Sequence, residues 1–144
     1  MQFGKDFEKV FFKLSLLKPK YLGTIDKGFY TSDEIDVLHQ LSVKFYDKFH
    51  ETPKVEQMKL LVSNSKIGSK VDGDLIDIIY GTDLSQYDED WLHTTTESWI
   101  KWRNFDTTLV DTIEYIKTTE VTPENTDSII NKVKSLINDR NSIS

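Results

Sequence analysis

The side chains best suited to chemistry here are three histidines, a run of consecutive carboxylates and a group of tryptophans. His39, His50 and His93 are far apart in sequence and form no metal-ligand spacing, so each is expected to be solvated or hydrogen-bonded. Asp88, Glu89 and Asp90 stand side by side, as a cation site would require. An acidic first turn of a helix explains them more simply, because carboxylates favour the positive end of the helix dipole. Asp72-Gly73-Asp74 has the opening of a calcium loop, without the remaining ligands or the closing bidentate glutamate. The glycine cluster from Gly68 to Gly73 lacks the Lys-Ser/Thr ending of a phosphate loop, which argues against ATP hydrolysis by this chain. No nucleophile or acid–base constellation can be assembled from local motifs. The sequence thus predicts no catalytic residue, no metal ligand and no cofactor.

Trp91, Trp99 and Trp102, with Phe105, form the most unusual cluster. Nucleic-acid bases can stack on such side chains, so a single-strand binding module is one reading. Only Lys101 and Arg103 supply positive charge nearby, and Trp99 and Trp102 fall on the apolar seam of a helix. Packing in a core or an interface is the stronger reading. Lys13, Lys18 and Lys20 make the densest basic spot, within a chain whose net charge is −6. That balance argues against broad binding to phosphate backbones. Arg103 has no partner that the sequence defines, and a salt bridge across an interface is one option.

The elements that must carry these residues read as all-α. From Asp90 to Lys117 the apolar residues Leu92, Trp99, Trp102, Leu109, Ile113 and Ile116 return at steps of three, four or seven, with no proline or glycine between. This predicts one amphipathic helix, roughly 28 residues and about 42 Å long. A sphere with the radius of gyration of a chain this size is only about 37 Å across. The helix should therefore project. Arg103-Asn104 is the expected place for any bend, since asparagine is a poor mid-helix residue. A second helix, Thr122 to Arg140, carries Ile129, Ile130, Val133, Leu136 and Ile137, and the short connection predicts an antiparallel hairpin.

Ahead of the hairpin a small helical head is expected. Its first helix runs from about Asp6 to Leu17, with Phe7, Val10, Phe11, Leu14 and Leu17 inward, and stops at Lys18-Pro19. Tyr21 to Tyr30 reads as a packed connector. Thr31 and Glu34 have capping-box spacing before a helix that carries Ile35, Leu38, Leu41, Phe45 and Phe49. Thr52-Pro53 reads as N-cap and N1 of the next helix, with Val55, Met58, Leu61 and Val62 inward. Ser63 to Lys70 reads as a mobile loop. A short helix over Asp74 to Tyr80 closes on Gly81 as its C′ residue, and Asp88 or Asp90 caps the long helix. The head is assigned to residues 1–103 and the hairpin to 104–144. The Trp91–Trp102 half of the long helix is expected to anchor the head. Leu109, Ile113, Ile116, Ile129, Ile130, Val133, Leu136 and Ile137 are the expected interface for a second subunit.

The 144 residues include no cysteine, which excludes disulfides and thiolate metal sites. The start, Met-Gln-Phe-Gly-Lys-Asp, has no basic n-region or apolar h-region. No apolar run approaches the ~20 residues that cross a bilayer. A cytoplasmic protein that meets other proteins is the expectation.

This order of elements, with particular residues, resembles the N-terminal domain of DnaB-family replicative helicases, those of tailed phages included. The resemblance covers nearly the whole chain. It rests on Phe29-Tyr30, on Ile35, Leu38, Phe45, Tyr46 and Pro53, and on Asp90-Trp91-Leu92 with Glu97 and Arg103 before Leu109 and Ile113. Thr122-Pro123-Glu124-Asn125 with Ile130, Val133, Ile137 and the closing Ser142-Ile143-Ser144 is similar to the return helix. Lys18-Pro19-Lys20 is more charged than the family pattern, and Ser63 to Lys70 has no clear counterpart there. The resemblance implies a domain that dimerises through its hairpin, builds the collar of a homo-hexameric ring, and docks a primase or a helicase loader, with the ATPase in a separate downstream domain. A free-standing all-α adaptor or loader-like replication protein would carry much the same sequence signature.

Overall fold

The structure is a computed structural model that describes residues 4–25 and 28–141. Residues 1–3, residues 26–27 of the connector and the closing Ser142-Ile143-Ser144 lie outside the described residues. The described chain is helical, with no strand among the described residues. Its helices are α1 (Lys5–Leu17), α2 (Asp33–Phe49), α3 (Val55–Asn64), α4 (Gly73–Tyr80), α5 (Glu89–Thr118) and α6 (Thr126–Asn141). Short 3-10 turns cover Pro19–Thr24, Ile67–Lys70 and Leu84–Gln86. The chain divides into two compact units, Met1–Leu92 and His93–Ser144. The boundary lies inside α5, ahead of the division drawn from the sequence after residue 103.

In the first unit α1 packs on α2, α2 on α3, α3 on α4, and α4 returns to α1. Phe11, Phe12, Leu14 and Leu16 meet Ile35, Leu38, Leu41, Met58, Val62, Ile76 and Ile79 in its core, with Leu22, Ile25, Phe29 and Tyr30 from the connector. Because α1 is covered from two sides, its buried arc is wider than one stripe. Phe12 and Leu16 are buried although the periodicity left them out, and Leu17, expected inward, is exposed. Phe45 is half-buried and Phe49 exposed, and α2 ends on His50 in the left-handed region, φ 58°.

Several helix starts differ from the sequence reading. Ser32, not Thr31, caps α2, its Oγ accepting from the Ile35 N–H at 3.3 Å; Thr31 is held by another side chain, described below. Lys54, not Thr52, precedes α3, and its N–H donates to the Gln57 side chain at 2.8 Å. Thr52 is drawn off to the last turn of α1, donating to the Leu16 carbonyl at 2.9 Å. Pro53 lies between them, and its carbonyl accepts from the Tyr80 hydroxyl at 2.8 Å. Ser63 and Asn64 belong to α3, and Ile67–Lys70 forms a 3-10 turn where a loop was expected. Gly68 permits that turn: a Cβ there would stand 2.5 Å from the Val62 carbonyl oxygen. Gly81 ends α4 as its C-cap at φ −81°, without the left-handed geometry of a C′ glycine.

Asp88 caps α5, its Oδ2 accepting from the Trp91 N–H at 3.0 Å. The helix runs unbroken through Arg103-Asn104, where the Thr107 and Thr108 hydroxyls donate to the carbonyls of Arg103 and Asn104 at 2.9 and 2.6 Å. Ser15, Ser42 and Thr119 bond back along their own helices in the same way. The buried hydroxyls of Thr96 and Thr112 have no hydrogen-bond partner among the described residues. Ahead of α6, Thr122 and Asn125 bond reciprocally: Thr122 N–H to Asn125 Oδ1 at 2.7 Å, and Asn125 N–H to Thr122 Oγ1 at 3.3 Å. The Thr-Pro signal therefore marks this turn, and the helix proper begins at Thr126.

Within the second unit α5 buries two different sides. Thr95, Thr96, Trp99 and Arg103 are buried on one, Thr108 and Thr112 on the other. At 3.6 residues per turn these sides lie roughly half a turn apart.

Candidate functional site

The densest cluster of chemically capable side chains is buried in the first unit. Glu8, in the first turn of α1, is 1% exposed. Its Oε2 accepts from the Thr31 hydroxyl and from the Thr31 N–H at 3.2 Å, and its Oε1 accepts from the Ser32 N–H at 3.0 Å. The carboxylate thus sits at the N-terminus of α2, where backbone donors and the helix dipole both favour negative charge. Asp36, one turn further along, accepts from the Gly28 N–H at 2.9 Å.

Beside it, Tyr30 and His39 form a second buried arrangement. His39 Nε2 lies 2.9 Å from the Leu22 carbonyl, and Nδ1 lies 3.0 Å from the Tyr30 hydroxyl. A carbonyl can only accept, so Nε2 carries the proton and Nδ1 accepts from Tyr30. Burial pushes the His39 imidazolium down from its ordinary range, against the smaller opposing effects of the Leu22 carbonyl and Asp36. Burial also pushes the Tyr30 phenol well up. Both groups are held neutral near pH 7, with their hydrogen bonds made to the chain itself. This arrangement fastens Leu22 and Tyr30 to α2, which is a structural task.

The other chemical candidates disperse. Asp72 caps α4, its Oδ1 accepting from the Asp74 N–H at 3.0 Å. His93 stands 3.1 Å from Glu97 one turn along α5, and His50 closes α2. Lys13 donates to the Tyr80 carbonyl at 2.6 Å, at the end of α4. Among the described residues no group of three or more histidines and carboxylates is placed to hold a metal ion. None of their helices is long and apolar enough to cross a membrane.

The tryptophans separate as well. Trp99 is fully buried, whereas Trp91 is 44% and Trp102 52% exposed, so of the core or interface packing expected for the cluster only Trp99 lies in a core. Three residues along a helix is about 300° of rotation, enough to turn Trp102 off the side that hides Trp99. Trp91 stacks on Tyr87 at 5.6 Å, and Trp102 pairs with Phe105 at 6.3 Å. Arg103 is buried and bonded to Asp106 at 2.6 Å.

The remaining feature is an apolar row on α5. Leu109, Ile113 and Ile116 are 37%, 52% and 48% exposed, and Trp102 and Phe105 continue the row toward the N-terminus. It runs about a quarter turn from each buried side. On α6, Ile130 is exposed, while Ile129, Val133, Leu136 and Ile137 are half-buried. The eight residues expected at an interface therefore divide into four outward and four partly covered within the chain. Phe105 and Trp102 join the outward set, and the heptad spacing of 102, 109 and 116 was the available signal. Glu8, Tyr30 and His39 carried no local signal, because their partners come from elsewhere in the chain. Comparison of the chain with protein-family models, with curated proteins and with solved structures finds no match to any of them.

Proposed function

We propose that this chain is a non-catalytic assembly module that associates with further copies of itself through the outward face of α5 and α6. The observation that carries this reading is the row Leu109, Ile113 and Ile116, each more than a third exposed in the single chain, with Ile130 exposed on α6. Together with Trp102 and Phe105 the row leaves apolar side chains in water that a partner would cover. Hiding the exposed part of such a side chain is worth about 1 kcal/mol, so five from each of two copies contribute about 10 kcal/mol. Association costs several kcal/mol against this, and the balance corresponds to dissociation in the micromolar to millimolar range.

The finer form of the proposal rests on the resemblance described above. In it the chain is the N-terminal assembly and docking domain of a hexameric replicative DNA helicase, which pairs copies and receives a primase or loader. The helical composition and the order of elements support that form. Sedimentation over a concentration series tests the general reading: association should appear at high concentration and weaken in Ile113→Lys with the fold intact. A chain that stays monomeric throughout would sink it. The helicase form requires an ATPase domain coded downstream, and a stop codon directly after Ser144 favours the free-standing adaptor.

A further inference from the structure

We infer that the Tyr87–Trp91 stack and the carboxylates beside it form a docking surface for an arginine-bearing basic segment of another protein chain. The inference stands apart from the self-assembly reading, which uses Trp102 to Ile116 and α6. From residue 71 to residue 100 the chain holds eight carboxylates and no lysine or arginine. The remaining residues carry 18 cationic side chains against 16 carboxylates, so the acidic excess is local. Asp88, Glu89 and Asp90 are exposed within it. A helix N-terminus carries roughly half a positive charge, and Asp88, which caps α5 through the Trp91 N–H, already exceeds that. Glu89 and Asp90 add further negative charge, and neither is in an ion pair among the described residues. Lys13 and Lys59, which reach the neighbouring α4, are engaged with the Tyr80 carbonyl and with Asp77.

The aromatic half of the surface is ordered. Trp91 lies on Tyr87 with ring centroids 5.6 Å apart and planes 21° from parallel, and 44% of Trp91 still meets solvent. A guanidinium is flat and weakly hydrated, stacks on an indole, and pairs with a carboxylate through two parallel N–H bonds. An ammonium is compact and strongly hydrated, and gains less from the same surface. A metal ion fits poorly, because consecutive residues entering a helix fan out by about 100° per step and their carboxylates cannot converge on one centre. The same fan suits several cations strung along a segment. Phosphate backbones and anionic headgroups are repelled by this charge.

Fluorescence anisotropy of the full chain with a labelled short peptide of alternating arginine and glycine tests this, with helix content of each variant checked by circular dichroism. The peptide should bind at low salt and weaken as salt is added. Its lysine counterpart should bind roughly two- to fivefold more weakly. Trp91→Ala should lower the affinity roughly two- to fivefold, and Glu89→Gln combined with Asp90→Asn roughly three- to tenfold. Glu120→Gln combined with Glu124→Gln removes the same charge ahead of α6 and should leave the affinity within about twofold. Equal losses in the two charge pairs, or an unchanged affinity in Trp91→Ala, would reduce the binding to general attraction by an acidic chain and overturn the surface. No binding at low salt overturns it as well. So does a sedimentation series in which Glu89→Gln with Asp90→Asn weakens self-association while peptide binding is unchanged, since the surface then serves a second copy.

Discussion

Replacing Glu8 tests how the first unit is held together. Its carboxylate accepts three hydrogen bonds from Thr31 and Ser32 at the start of α2, in a place where only 1% of the residue meets solvent. Glu8→Ala removes the acceptor and leaves two backbone N–H groups and a hydroxyl to find others. A hydrogen bond to a charged group contributes about 1.5–3 kcal/mol, and negative charge at a helix N-terminus adds about 0.3–1 kcal/mol. Desolvation of the buried carboxylate, several kcal/mol, works in the opposite direction. The net expectation is a loss of about 3 kcal/mol for Glu8→Ala, at the upper end of what leaving buried donors without their acceptor costs. Glu8→Gln keeps one acceptor oxygen and should lose about half as much. Urea denaturation followed by circular dichroism measures this as a lower midpoint with an unchanged slope. Amide exchange at Thr31 and Ser32 should accelerate in both variants. A Glu8→Ala chain within about 1 kcal/mol of the parent, with those amides still protected, would refute the account.

Two further outcomes follow from the same unit. His39 is held neutral with its affinity for protons lowered by burial, so below about pH 6.5 the unfolded chain binds a proton that the folded one refuses. Stability should be steady above that pH and fall as pH drops through the window between the two values. The urea midpoint measured from pH 7.5 to 5 should show this fall, and His39→Gln should remove that part of it. Gly68→Ala should cost about 2 kcal/mol or more, because its Cβ would meet the Val62 backbone at 2.5–2.8 Å. Gly23→Ala, with nothing within 4 Å of its Cβ, should change the thermal midpoint little.

Periodicity made the six helices legible, and it placed α5 to within one residue at each end, Glu89–Thr118 against Asp90 to Lys117. What it missed are events in which distant segments compete for the same group. Thr31 looks like an N-cap until Glu8 arrives from α1. Thr52 looks like an N-cap until the Leu16 carbonyl claims its hydroxyl. The inward stripe of α1 was drawn too narrow because a one-face template cannot register two neighbours, and Phe12 and Leu16 fell outside it. On α5 the apolar residues were correctly found but read as one seam. The helix in fact hides threonines on two sides, and much of its hydrocarbon is in the open row.

The back-bonded hydroxyls of α5 bear on how that helix can be re-engineered. A threonine that spends its single proton on a carbonyl one turn behind it shows its surroundings mainly a methyl group. Thr108 is such a residue, buried and yet self-sufficient. A surface of this kind asks for shape and volume but for no hydrogen-bonding counterpart. Thr96 and Thr112 go further, with buried hydroxyls that have no hydrogen-bond partner among the described residues. Valine has almost the same outline, so exchanging either threonine for it removes a buried oxygen without breaking a hydrogen bond made among the described residues, and leaves the exposed row untouched.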